Sequence, residues 1–154
     1  MEDGYHEVDY PERWRYEGEF KDGRPHGQGI MKYTNGDVYE GEFMGGYKHG
    51  KGTMKYANGD VYDGNWKDGL RGGDYLSSWG LMKYANGDVY DGEWKSDSKW
   101  GHGIMKYANG DVYDGEWKRD EKDGYGSTSY ANGDKYDGKY SNGDELVLCE
   151  NCST

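Results

Sequence analysis

Carboxylates recur in this chain in the pattern Asn-Gly-Asp-x-x-Asp, as at Asp60 and Asp63. Paired carboxylates can serve general acid–base catalysis or bind hard cations. Here the pair returns in most copies of the pattern, for example at Asp88 and Asp91. A catalytic centre is one distinctive constellation, so carboxylates present in copy after copy read as structure. The spacing of a calcium-binding Asp-x-Asn/Asp-x-Asn/Asp-Gly loop is missing. The histidines His6, His26, His49 and His102 join no Ser-His-Asp arrangement, and His26 and His49 fill the same place before Gly-x-Gly. Cys149 and Cys152 have the spacing of half a zinc site or of a redox pair. No nearby His or Cys completes a zinc site, and no βαβ pattern surrounds the motif, so the thiols are expected to be idle. No Gly-x-Gly-x-x-Gly stands in a strand–helix context. The expectation is a non-enzyme with no cofactor and no metal.

The element that carries these residues is a repeat. Met31 to Phe43, MKYTNGDVYEGEF, returns as MKYANGDVYDGNW from Met54, as MKYANGDVYDGEW from Met82 and Met105, and loosely as TSYANGDKYDGKY from Thr128. The Tyr of Tyr-x-Gly sits at Tyr16, Tyr39, Tyr62, Tyr90, Tyr113 and Tyr136, so the spacings are 23, 23, 28, 23 and 23. A fixed period is read before anything else, because it sets the architecture. Asn-Gly between two alternating runs is the strongest short-range hairpin signal. With a two-residue loop, charge and aromatic would mix on both faces. With the loop Thr34-Asn35-Gly36 and a left-handed Gly36, Met31 faces Tyr39 and Gly29 faces Gly41. One face then carries Gly29, Met31, Tyr33, Tyr39, Gly41 and Phe43, and the other Ile30, Lys32, Val38, Glu40 and Glu42. A slip of one residue would exchange the faces, so the cleaner pattern is the expected register.

Tyr-x-Gly-(Glu/Asn/Lys)-(Phe/Trp/Tyr), a short loop, Gly-x-Gly and then Asn-Gly-Asp, at period 23, resembles the MORN (membrane occupation and recognition nexus) repeat. The resemblance covers roughly Gly4 to Tyr140. It implies an elongated, twisted, all-β solenoid of about six stacked antiparallel hairpins with an aromatic-lined trough. It also implies scaffolding and the docking of proteins or membranes.

Composition agrees with a solenoid. Leu, Ile, Val and Phe number only 15 in 154 residues, but 17 Tyr and 6 Trp supply apolar area, about 150–250 Å² for each buried ring. Each unit of a solenoid buries its face on its neighbours and needs no central aliphatic core. The net charge of −11 excludes the basic patch of a nucleic-acid binder. It also disfavours simple attraction to anionic lipid and favours partners with basic faces. The N-terminus lacks a basic start and an apolar segment, so no secretory signal is read, and the sequon at Asn151 is disregarded. A cytoplasmic location, peripheral to membrane or cytoskeleton at most, is expected.

Three parts are expected along the chain. Residues 1–20 form an N-terminal cap hairpin whose turn, Pro11-Glu12-Arg13, must take another shape because Arg13 stands where Gly36 turns left-handed. Residues 21–140 hold five further hairpins joined by short connectors, with an insertion near 69–77. Residues 141–154 form a closing strand, Glu145 to Leu148, and a tail. Asp97 and Asp120 replace Gly23, Gly46 and Gly69 in two connectors, so those turns should differ in shape.

The expected function is a scaffold that docks a protein partner, a helix or a basic segment, along the aromatic groove. The alternatives are a peripheral module binding phosphoinositide lipids and, weakest, a carbohydrate or choline reader. The candidate groove residues are Tyr39, Phe43, Tyr62, Trp66, Trp79, Tyr90, Trp94, Trp100, Tyr113 and Trp117, with Met54, Met82 and Met105 beside them. The tyrosines should be mainly core. The Phe and Trp positions, with Trp79 and Trp100, should be partly open. Open end strands make a homodimer through the sheet edges a further expectation.

Overall fold

A computed structural model describes residues 2–73 and 75–147. The strands are β1 (Gly4–Tyr10), β2 (Trp14–Lys21), β3 (Arg24–Tyr33), β4 (Val38–Met44), β5 (Tyr47–Lys55), β6 (Val61–Lys67), β7 (Leu70–Arg71), β8 (Ser78–Lys83), β9 (Val89–Lys95), β10 (Ser98–Lys106), β11 (Val112–Lys118), β12 (Glu121–Ser129), β13 (Lys135–Ser141) and β14 (Asp144–Glu145). They form one antiparallel sheet in sequence order, with the short β7 paired beside β8 on β6. Among the described residues there is no helix, hence none long and apolar enough to cross a membrane.

The Asn-Gly-Asp turns hold the expected register. Met31 pairs with Tyr39 and Gly29 with Gly41, and Gly36 is left-handed at φ 97°. The Asn35 side-chain carbonyl accepts the Asp37 N–H at 3.0 Å, and Asp37 Oδ1 accepts the Ala57 N–H of the next turn at 2.8 Å. The same link joins Asp60 to Ala85, Asp88 to Ala108 and Asp111 to Ala131. The recurring carboxylates therefore hold one turn to the next. In the first hairpin Arg13 stays out of the left-handed region and the loop length is kept, with Tyr10 paired to Trp14.

The connectors between hairpins are strand rather than loop. Each is a two-residue turn with positive φ at both central positions, as at Asp22-Gly23 and Gly45-Gly46, the geometry that matches the right-handed twist of flanking strands. The six expected hairpins are thus one continuous meander. The expectation for Asp97 and Asp120 is overturned: their φ values, 66° and 69°, match the 71° of Gly23. Aspartate tolerates the left-handed region better than most residues. Here its carboxylate is also bonded: Asp97 Oδ1 accepts the Arg71 N–H and Asp120 Oδ1 the Lys99 N–H, both at 2.8 Å.

A bulge follows each connector. Phe43 pairs with Lys48 but Gly41 with Gly52, so three residues oppose one. The first Gly of Gly-x-Gly is the left-handed bulge residue, for example Gly101 at φ 67°, and the Glu93 carboxylate beside it accepts the His102 N–H. The insertion sits inside the third bulge. Between Arg71, paired with Trp66, and Gly80, paired with Gly64, lie eight residues where other units have three, a difference of five. The connector turn before it is undisturbed.

The core is a ladder of rings. Tyr16 packs edge-on against Phe20 and Phe43, Tyr39 against Phe43 and Trp66, Tyr62 against Trp66 and Trp94, and so on to Tyr136 against Tyr140, with centroids 5.0–5.4 Å apart. T-shaped pairs of this kind add about 0.5–1.5 kcal/mol each beyond area burial. Every hydroxyl of the Tyr-x-Gly set donates to a backbone carbonyl three residues on, as Tyr39 does to Glu42 at 2.9 Å. Trp66, Trp94 and Trp117 donate to the carbonyls of Gly52, Gly80 and Gly103. In the last unit Thr128 and Tyr140 replace Met and Trp together and bond each other at 2.5 Å.

The closing strand is shorter than expected. It ends at Glu145; Leu146 is still held to the last hairpin, its N–H donating to the Lys139 carbonyl at 2.8 Å and its carbonyl accepting the Tyr136 hydroxyl at 3.1 Å, while Leu146 and Val147 are 47% and 75% exposed. Leu148, Cys149 and Cys152 lie outside the described residues.

Two stability measurements check this packing. A Cβ on Gly52 would lie 2.1 Å from the Tyr39 hydroxyl and 2.4 Å from Cζ, so Gly52→Ala should lose about 3 kcal/mol in urea denaturation. Gly23→Ala, open in space but left-handed, should lose only about 1–2 kcal/mol. Burial pushes the Tyr16 and Tyr84 hydroxyls up to about 12, and raises those of Tyr39, Tyr62, Tyr90 and Tyr113. A raised folded-state value means stability complete below the unfolded value of about 10 and lost as pH climbs through the raised one. The part of the tyrosinate absorbance at 295 nm that comes from these rings should therefore lag and then rise together with loss of the β-sheet circular dichroism. A gradual rise of that part centred near the ordinary value with the sheet intact would show the hydroxyls to be open.

Candidate functional site

The connector positions that pair with the Phe or Trp of the preceding strand lie on the ring-bearing face. Phe43 pairs with Lys48, Trp66 with Arg71, Trp94 with Lys99 and Trp117 with Lys122. Each cation rests on rings. Lys48 Nζ lies 4.5 Å from the Trp66 centroid, Arg71 4.7 Å from Trp94, Lys99 4.7 Å from Trp117 and Lys122 4.7 Å from Tyr113. Such contacts contribute about 0.5–2 kcal/mol as the cation is desolvated. Burial holds the Lys48, Lys99 and Lys122 ammoniums below the ordinary lysine range, while Asp120 and Asp88 oppose the shift at Lys99 and Glu145 and Asp111 oppose it at Lys122.

Between these cations and the Asn-Gly-Asp turns the face is hollowed. One hollow of about 410 Å³ is lined by Tyr56, Asp60, Arg71, Tyr84, Trp94, Asp97, Lys99 and Asp120, among others. The next, about 480 Å³, is lined by Tyr84, Asp88, Lys99, Tyr107, Trp117, Asp120 and Lys122, among others. Tyr84, Lys99 and Asp120 belong to both, so the two join into one groove. It is lined by half-buried tyrosines, by acids and cations, and by the buried Met82, Trp94, Met105 and Trp117. It can hold a chain that offers ring-stacking groups and charges of both signs.

The candidate groove residues fall into three sets. Tyr39, Tyr62, Tyr90 and Tyr113 are fully buried, as expected of core. Phe43, Trp66, Trp94 and Trp117 are only 1–4% exposed, which corrects the expectation that they are partly open. Each is clasped by two tyrosines, and Trp66, Trp94 and Trp117 lie under connector cations, while Trp94 and Trp117 also line the groove. Met54, Met82 and Met105 are buried with them. Trp79 is 48% exposed but faces the opposite side, where its indole N–H donates to Asp91. Trp100 is half-buried in the β10 bulge with Lys95 Nζ over its ring at 5.0 Å. Neither Trp79 nor Trp100 joins the groove.

Of the candidates, Trp94 and Trp117, with Met82 and Met105 beside them, line the groove; the half-buried Tyr56, Tyr84 and Tyr107 and the cations Arg71, Lys99 and Lys122 that also shape it are not among them. The tyrosines are legible on the ring-bearing face of the hairpin. The cations have no assigned face while the connectors are read as loops; read as strand, Lys48, Lys99 and Lys122 fall on the parity of Gly-x-Gly. Arg71 is cut off from its Gly-x-Gly by the insertion.

Comparison with family models matches the MORN repeat at residues 16–38, 39–61, 62–73, 90–112 and 113–135. The third match stops at residue 73, within the enlarged bulge. No curated protein matches the chain. MORN repeats are known in protein-interaction and membrane-associated modules, and the family is generally a non-catalytic repeat scaffold. With five matches that together span more than half of its residues, the chain belongs to the MORN repeat family.

Proposed function

We propose that this chain is a non-catalytic scaffold that docks a protein partner, a helix or a basic segment, along the groove of its ring-bearing face. The observation that supports the reading is the continuity of the groove across repeats, with half-buried Tyr56, Tyr84 and Tyr107 and a row of charges of both signs. Aromatic residues carry a large share of binding energy at protein interfaces. A groove over two repeats runs about 20 Å at 4.8 Å per strand, the rise of about 13 residues of helix. The net charge of −11 steers basic segments toward it. The cations of the row rest on rings and face carboxylates, so they offer little free positive field to an anionic membrane.

The test is affinity capture from the native cell with wild-type chain, with Tyr84→Ala plus Tyr107→Ala, and with Lys55→Ala plus Lys83→Ala on the opposite face. The groove pair should lose the partner at least about tenfold with the circular dichroism unchanged, and the outer pair should keep it. Flotation on phosphoinositide liposomes runs alongside. Liposome binding without any protein partner, with capture indifferent to the groove pair, would overturn the docking reading in favour of lipid.

A further inference from the structure

A separate hollow near the N-terminus repeats the positions of the groove with altered chemistry. A hollow of about 490 Å³ is lined by Tyr10, Trp14, Pro25, Met31, Gly46 and Tyr47, among others. By the repeat spacing these are the positions of Tyr84, Asp88, Lys99, Met105, Asp120 and Glu121 in the inner hollow. The ring and the methionine wall are kept. Every charged member of that inner set is replaced: Asp88 by Trp14, Lys99 by Pro25, Asp120 by Gly46 and Glu121 by Tyr47. Among the described lining residues of the N-terminal hollow only Arg24, itself exposed, is charged.

Four inner units show what this position is shaped for. Lys48, Arg71, Lys99 and Lys122 each place a cation on rings there. Around Lys99 the rings are Tyr84, Tyr90 and Trp117, whose counterparts in the first unit are Tyr10, Tyr16 and Phe43. Tyr16 and Phe43 keep their edge-on contact at 5.0 Å, and Tyr10 and Trp14 lie 4.6 Å apart. The first unit thus keeps Tyr16 and Phe43 buried, and the rings that line the hollow are Tyr10, Trp14, Phe20 and Tyr47, while Pro25 supplies no cation. Tyr10 is 52% exposed and Trp14 half-buried, so these rings are open to an incoming group.

The exchange of acids for a ring also selects among cations. A primary ammonium brings three N–H donors and a guanidinium five, and in the inner units carboxylates stand close by to meet them. Trp14 and Gly46 offer no side-chain acceptor. A quaternary ammonium has no N–H to satisfy and is the cation that rings alone recognise. We infer that the Tyr10–Trp14 hollow is an aromatic cage for a methylated lysine carried by the docked protein partner. The inference rests on the docking reading for its source of ligand. A polypeptide is favoured over a choline lipid because a net charge of −11 attracts basic segments and is repelled by an anionic membrane surface.

The full chain, ¹⁵N-labelled, is titrated with choline, with ethanolamine and with 3,3-dimethylbutan-1-ol, the neutral isostere of choline, while the Trp14 indole N–H is followed by NMR. Choline should shift that signal saturably and bind at least about tenfold tighter than either comparator. Pro25→Lys, which installs the cation of the inner units, should weaken choline by a similar factor while the Trp94 and Trp117 indole signals stay in place. Arg24→Ala should tighten choline and leave the neutral alcohol unchanged. Equal binding of choline and the alcohol would show an apolar socket and overturn the inference, as would indifference to Pro25→Lys in a folded chain. A trimethyllysine peptide and phosphatidylcholine vesicles separate the sources: a Trp14 shift with vesicles and none with the peptide overturns the protein assignment. No partner protein enters these titrations, so loss of docking in the capture experiment leaves their outcome intact.

Discussion

The constraint on which the sheet depends is the seating of a tyrosine ring on a pair of glycines. In each inner unit two glycines face each other across neighbouring strands, as Gly41 and Gly52 do, and the Tyr-x-Gly ring covers them so closely that a Cβ on either would enter the ring or the opposite backbone. The hydroxyl then reaches the carbonyl at the bulge, and the Phe or Trp of the next unit closes the other side edge-on. Ring, glycine pair and bulge are therefore one device. None of the three positions can change alone without leaving a clash, a cavity or a buried polar group unpaired.

The turns extend this device along the sheet. The Asn-Gly-Asp loops are linked by carboxylate–amide bonds from one unit to the next, and the two-residue connectors by backbone bonds such as Gly69 N–H to the Lys48 carbonyl at 2.9 Å. Both rims are thus stitched independently of the rings. The first carboxylate of each pair that resembles a catalytic pair in the sequence is used in this stitching, while the second, as at Asp63 and Asp91, accepts from the Thr53 and Trp79 side chains. The bulge absorbs the five-residue insertion because it is the point where strand pairing is already interrupted.

Because the largest rings are consumed by repeat-to-repeat packing, recognition is left to what stands beside them. Tyr56, Tyr84 and Tyr107 are half-buried, and the connector cations cover the ring edges while keeping their charges at the groove. The row changes character at its ends, from Pro25 through Lys48, Arg71, Lys99 and Lys122 to Glu145, whose carboxylate accepts the Tyr130 hydroxyl. The same positions are in this way apolar and ring-rich in the first unit and ionic in the inner ones.

The sequence by itself determined the period, the three-residue Asn-Gly loop, the register of Met31 on Tyr39 and the division of the hairpin into a ring-bearing and a charged face. These are legible because strand side chains alternate with period two and a hairpin turn fixes which residues meet. The tertiary structure alone decided how deep each ring lies. Trp66 and Trp94 look like anchors in a single hairpin, yet each is sealed by the tyrosine of the preceding unit, a contact between residues that the alternation within one hairpin does not register. It also decided the shape of the Asp97 and Asp120 turns, where a carboxylate bond across 21 or 26 positions supports a backbone conformation that local preference assigns to glycine. The facing of Arg71 was decided there too, because the insertion between Arg71 and Gly80 breaks the parity that the other connector cations share with Gly-x-Gly.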